Sequence, residues 1–198
     1  MSHTQSVRTL ARLITQLPTV TCEDANAFLL AVTRHPAFVA TQVAPLLSHV
    51  SPGRHPTIRV SYGARERATC LQVFVWPAGA ATPIHDHTAW GAYYCLFGSL
   101  VEDRYVRLDD GAQPSTARLR KAWRRSWRRE DGASTVHPYA LGIHRITNPN
   151  SAPAVSVHLY GPRMGIYDGR DYDPARDFVC DRLEQDDLAC AAEMLFDR

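Results

Sequence analysis

The hydrophobic positions change period near residue 57. Before it, Leu10, Leu13, Ile14 and Leu17 recur at three- and four-residue spacing, which predicts an amphipathic helix that Pro18 stops. Phe28, Leu29 and Val32, then Phe38, Val39, Val43, Leu46 and Leu47, repeat the pattern around a break at Pro36, so residues 6–50 read as helical. Ser51-Pro52-Gly53 punctuates the chain, and the period then falls to two. From Thr69 to Trp76, Leu71, Val73 and Val75 alternate with Cys70, Gln72, Phe74 and Trp76. This stretch, Trp90 to Phe97, Leu100 to Leu108 and Ala154 to Tyr160 are the predicted strands. Pro77-Ala78-Gly79, Gly98-Ser99, Asp109-Asp110-Gly111, Asp131-Gly132 and Asn148-Pro149-Asn150 supply turns between them. Short strands with close turns point to a mainly β sandwich or barrel. The expected organisation is one domain over 1–198: a helical segment 1–50, a barrel 57–180 and a C-terminal segment 181–198 with a short helical face from Arg182.

Composition narrows the class more than the function. A chain of 198 residues can bury a sizeable core, and a net charge of +2 gives no global pull toward nucleic acid or a membrane surface. No apolar run approaches the roughly 20 residues of a membrane span. The N-terminus lacks the continuous apolar core of a secretory signal, and an amphipathic helix explains it better than a transit peptide does. Cys22, Cys70, Cys95, Cys180 and Cys190 form an odd, scattered set without CxxC spacing. That pattern fits reduced thiols in a cytoplasmic protein, expected here to be a monomer or weak homo-oligomer.

Chemistry enters at His85-Asp86-His87. On a strand, residues i and i+2 share a face, so the two imidazoles project together. A third from a distant strand would complete a facial set of three nitrogen donors, leaving about three of six octahedral positions for substrate and oxygen. His144 is the expected third member and His137 a weaker rival; His3, His35, His49 and His55 look bland, and Asp86 is expected to point away. The surrounding residues match the first cupin signature, with Gly79 six before His85 and Gly98 eleven after His87. Gly91 stands where that signature places a glutamate. His144 and Asn148 match the end of the second signature. Three neutral imidazoles leave a divalent ion its full charge, which favours an anionic ligand such as a thiolate.

From about Arg59 to Gly161, HDHTAWG, HRITNPN and SVHLYGP together resemble the thiol dioxygenases, the cysteine dioxygenase type I group of the cupin superfamily. The resemblance implies a double-stranded β-helix barrel and a non-haem Fe(II) site of His85, His87 and His144. It implies a small thiol acid, cysteine or 3-mercaptopropionate, oxidised by O2 to a sulfinate. Ser156, His158 and Tyr160 match the family's Ser-His-Tyr relay, and by alternation they share one strand face. Arg59 suits the arginine that grips the substrate carboxylate, with Arg163 and Arg170 as further candidates. Mammalian-type enzymes carry at the Gly91 slot a cysteine cross-linked to the relay tyrosine, so no cross-link from that position to Tyr160 is expected; the face of Cys95 stays open.

Two other readings compete. Three histidines also suit a zinc hydrolase, or a cupin that only binds or senses a ligand. Arg118 to Arg129 interleaves cations with Trp123 and Trp127 in the manner of a nucleic-acid contact. A solvated hairpin with inward tryptophans explains it more simply, and neither nucleic acid nor membrane is an expected partner.

Overall fold

The computed structural model describes residues 3–47, 50–63 and 68–182. The segment expected to be helical near the C-terminus lies outside these residues. The N-terminal region is broken where proline demands it. Helix α1 (His3–Thr15) gives way to a 3-10 turn at Leu17–Thr19, and α2 (Ala25–Arg34) ends one residue before His35 and Pro36. A helical turn α3 (Pro36–Phe38), a π-helical turn (Val39–Val43) and α4 (Ala44–Leu47) follow.

Eleven strands follow among the described residues: β1 (Thr57–Tyr62), β2 (Cys70–Trp76), β3 (Ile84–His85), β4 (Gly91–Phe97), β5 (Leu100–Arg107), β6 (Leu119–Trp127), β7 (Ala133–Val136), β8 (His144–Thr147), β9 (Ala154–Tyr160), β10 (Gly169–Asp173) and β11 (Phe178–Arg182). They form two antiparallel sheets, ordered β1-β2-β9-β4-β7 and β11-β10-β3-β8-β5-β6. Strands consecutive in sequence repeatedly sit in opposite sheets, the mark of a jelly-roll, double-stranded β-helix barrel rather than a meander.

The first sheet is buried on both faces because two layers use its period of two. Leu71, Val73 and Val75 of β2 and Val155, Val157 and Leu159 of β9 face outward and join Phe28, Leu29 and Val32 of α2 in one core. Their alternates Gln72, Phe74 and Trp76, with His158 and Tyr160, face the barrel interior and line a cavity. The helices thus close the outer face of the sheet whose inner face carries the polar strip of β9.

Three strands depart from the sequence expectation. Strands β10 and β11 have no alternating apolar pattern, because GRDYD and FVCDR pack mainly through Tyr172 and Val179. The basic segment forms β6 at the end of the second sheet, where cations also oppose edge-to-edge pairing. Only one of its tryptophans packs inward: Trp127 is buried, whereas Trp123 is 43% exposed beneath the Arg104 guanidinium.

Leu29 is fully buried between helix and sheet. Leu29→Ala should cost about 2–5 kcal/mol, read from the urea midpoint. A cost near zero would show that α2 does not seal the sheet.

Candidate metal centre

The site is assembled by register. His85 of the two-residue strand β3 lies directly opposite His144 of β8 on one side and Asp171 of β10 on the other. Partners across an antiparallel pair project to the same face, so His85 and His144 enter the barrel together. His87, two residues on, follows them. All three are buried, and their donor nitrogens lie within 4.8 Å of one another.

The nitrogens facing inward can be assigned from the hydrogen bonds. His85 Nδ1 donates to the Pro83 carbonyl at 3.0 Å, and His144 Nδ1 donates to Glu102 Oε1 at 2.9 Å. Their Nε2 lone pairs are left for the cluster, where His144 Nε2 and His87 Nε2 approach to 3.4 Å. Two nitrogens about 2.1 Å from one ion stand roughly 3.0–3.4 Å apart at octahedral to tetrahedral angles; the His144–His87 pair has that spacing, and three imidazole nitrogens are the donor chemistry of a transition-metal ion. Burial pushes His85 well below the usual imidazole range, with the charges of His144 and Arg182 adding to it. Burial also lowers His144, although Glu102 opposes the shift. His85 and His144 are therefore held neutral, as metal binding requires.

Asp86 turns away from the histidines. Its carboxylate accepts from the Arg170 backbone N–H at 2.8 Å, from Arg170 Nε and Nη2 at 2.9 and 2.6 Å, and from the Tyr172 hydroxyl at 2.6 Å. It fastens the His85–His87 turn to β10.

The β9 strip forms a hydrogen-bonded chain. Trp76 Nε1 can only donate, and it donates to Ser156 Oγ at 2.7 Å. Ser156 Oγ and His158 Nε2 share a hydrogen bond of 2.7 Å, and His158 Nδ1 and the Tyr160 hydroxyl share one of 3.0 Å. The Tyr160 ring centroid lies 5.1 Å from that of His87.

The histidines and this chain share a cavity of about 270 Å³. Phe74, Trp76 and Ile146 make its floor apolar, while Asp168, Asp171 and Arg182 place charge on its wall. Arg182 donates to Asp171 at 2.7 Å and to the Asp86 carbonyl at 2.7 Å.

Not every residue singled out in the sequence reaches this cavity. Arg59 is exposed on β1 and lines no part of it; it is the extra residue of a β-bulge between Ile58, which pairs with Phe74 and lines the wall, and Val60, which pairs with Val73. Arg170 is held by Asp86, and Arg163 does not line the cavity either. His137 is exposed and stands outside the cluster. Cys95 faces Ser156 across the β4–β9 pair but donates to the Phe97 and Gly98 carbonyls, and burial pushes its thiol up to about 12. The residue opposite Tyr160 is Gly91, where a Cβ would come within 3.2 Å of the Tyr160 ring.

Three contributors escaped the sequence reading. Trp76 and Arg182 carry no motif. Glu102 had a signal: Leu100, Glu102 and Arg104 alternate on β5, and Leu100 is fully buried, so a carboxylate stands at an inward position. Burial raises the pKa of Glu102, but the hydrogen bonds from His144 and Ser134 and the charge of Arg104 outweigh it and hold the group ionised.

A family model described as "Cysteine dioxygenase type I" matches residues 1–172, and the chain belongs to that family. Cysteine dioxygenase type 1 of Rattus norvegicus is 32% identical over 94 residues, covering 46% of this chain and 44% of the rat protein. The Homo sapiens protein is 29% identical over a stretch of the same length. The chain therefore spans less than half the length of the curated relatives it matches. Among solved structures, a Thermus thermophilus protein has 20% identity and a TM-score of 0.42, covering 60% of this chain and 92% of its own. An oxalate oxidase bound to the substrate analogue glycolate has 16% identity and a TM-score of 0.44, covering 60% and 57%.

Burial lowers His158 to about 3, with the charge of His144 adding and that of Glu102 opposing. An unfolded histidine titrates near about 6.5, so between the two values the unfolded chain binds more protons than the folded one. The metal-free protein should lose stability, on the order of a few kcal/mol, as pH falls from about 6.5 toward 3. Urea midpoints at pH 7.5 and 5 check this; equal stability at both would mean that the buried histidines take up protons in the folded state.

Proposed function

We propose that the protein is an iron-dependent thiol dioxygenase that oxidises a small thiol acid, cysteine or 3-mercaptopropionate, with O2 to its sulfinic acid. The observation that carries this reading is the meeting, in one small cavity, of three buried imidazoles and a hydrogen-bond chain that ends in Tyr160. Membership of the cysteine dioxygenase type I family supports it. An Fe(II) held by His85, His87 and His144 would supply the redox chemistry and open coordination positions for thiolate and oxygen.

The chain's own residues bind, orient and protect. Phe74, Trp76 and Ile146 keep the sulfur end of the cavity apolar, which limits competing reactions with water. Arg182, the arginine on the wall, is the partner for the substrate carboxylate, in place of Arg59. Asp168 and Asp171 beside it can meet an ammonium. Tyr160, oriented through His158, Ser156 and Trp76, directs a proton toward the reacting atoms. The reaction balances without an added reductant: both oxygen atoms of O2 end on sulfur, and the thiol proton ends on the sulfinic acid or in solvent.

Iron-loaded protein given cysteine, 3-mercaptopropionate or cysteamine should consume O2 with at least one thiol acid and form one sulfinate per O2. A preference for cysteine would assign Asp168 and Asp171 to substrate; a preference for 3-mercaptopropionate would confine them to holding Arg182. Activity that follows zinc, or no O2 uptake with any thiol, would contradict the proposal. His87→Ala should abolish iron loading. Tyr160→Phe should retain iron and lose roughly 10²-fold in kcat, the scale of a positioned proton donor.

A further inference from the structure

The three imidazoles are not equivalent. His85 is backed by a neutral carbonyl, whereas His144 is backed by a carboxylate from another strand. We propose that Glu102 is the positioning residue of the metal centre: it holds His144 with Nδ1–H toward the carboxylate and Nε2 toward the ion, and Arg104 and Ser134 hold Glu102 in turn. The inference rests on the reading of His85, His87 and His144 as a metal site, though not on thiol oxidation.

Glu102 is fully buried, so its charge serves no solvent-facing purpose. A buried carboxylate is tolerated only when its partners are arranged around it, and here they come from four strands, with the Tyr93 hydroxyl of β4 donating to Oε2 at 3.5 Å. His144 Nδ1 reaches Oε1 from β8 at 2.9 Å, Arg104 Nε reaches Oε1 from β5 at 2.6 Å, and the Ser134 hydroxyl reaches Oε2 from β7 at 2.6 Å. Arg104 Nη2 extends the clamp to Ser134 Oγ at 3.1 Å and to the Thr135 carbonyl at 2.6 Å. Strand β7 is the last strand of the first sheet, and β5 and β8 lie in the second. The same group therefore ties the two sheets together directly behind a ligand.

This arrangement compensates for what the ligand set lacks. Gly91 stands where the cupin signature has a glutamate ligand, so no carboxylate contacts the ion from that slot. Glu102 returns a carboxylate one hydrogen bond further out. A charge-assisted bond is roughly twice as strong as a neutral one, and an imidazole that donates to an anion is the more basic donor through its other nitrogen. His144 thus becomes the anchoring ligand, and its ring cannot flip without breaking a buried ion-pair network.

The test is metal affinity, measured by chelator competition with Zn(II) and Fe(II). Glu102→Gln should weaken binding about 10–100-fold. Because the single substitution removes the carboxylate partner of the half-buried Arg104, Glu102→Gln combined with Arg104→Met serves as the second variant and should show the same loss with a fold confirmed by circular dichroism. A folded variant that binds as tightly as wild type would overturn the inference while leaving the metal site intact. Failure of wild type to bind either ion would overturn both. In zinc-loaded wild type, nitrogen-15 NMR should show His144 bound through Nε2 with a protected Nδ1–H, a signature that a merely structural role does not require. Ligation through Nδ1 would also overturn it.

Discussion

The metal centre depends on one register: His85 opposite His144. Strand β3 is only two residues long, and its pairings on both sides are correspondingly few. A slip by one residue would turn Ile84 inward and send both ligands of the HxH pair to the other face. What prevents the slip is the residue between the histidines. Asp86 collects donors from the backbone and side chain of Arg170 and from Tyr172, and its own carbonyl accepts from Arg182 at 2.7 Å. The non-ligand in the motif thus fixes the alignment on which the ligands depend. The arrangement also explains a buried carboxylate so close to three metal-facing nitrogens: its charge is engaged by Arg170 and the Tyr172 hydroxyl on the opposite side.

The buried polar groups divide the barrel into functions. Toward β10, Asp86 and Arg170 set the register. Toward β5 and β7, Glu102, Arg104 and Ser134 back His144. On β9, His158 and Tyr160 line the cavity, and Ser156 joins His158 to Trp76. Each group has partners at hydrogen-bond distance, which is the condition for keeping polar atoms inside a dry core. The basic appearance of the β5–β6 hairpin is partly explained by the same logic. Arg104 pairs with Glu102, and Lys121 and Arg124 approach Asp103 at 3.1 and 3.6 Å.

Much of this could be read from the sequence where one strand contains the whole pattern. The alternation through β2 and β9 foretold both the helix-facing core and the inward polar strip, and HDH announced two donors on one face. What could not be read depends on relations between strands. Glu102 matters only because β5 lies beside β8, and Trp76 only because its indole crosses to β9. Arg182 sits on β11, whose sequence shows no period, and it reaches the cavity wall through a pairing with β10. Arg59 was placed by its distance along the chain from His85, but distance along a chain does not say which face of an edge strand a side chain takes.

If His85, His87 and His144 hold one ion, X-ray absorption on the Fe(II)-loaded protein will show a first coordination sphere containing three imidazole nitrogens at about 2.1 Å and no protein carboxylate. A shell with two imidazoles or fewer, or one completed by oxygen from Asp86 or Glu102, would rule that arrangement out.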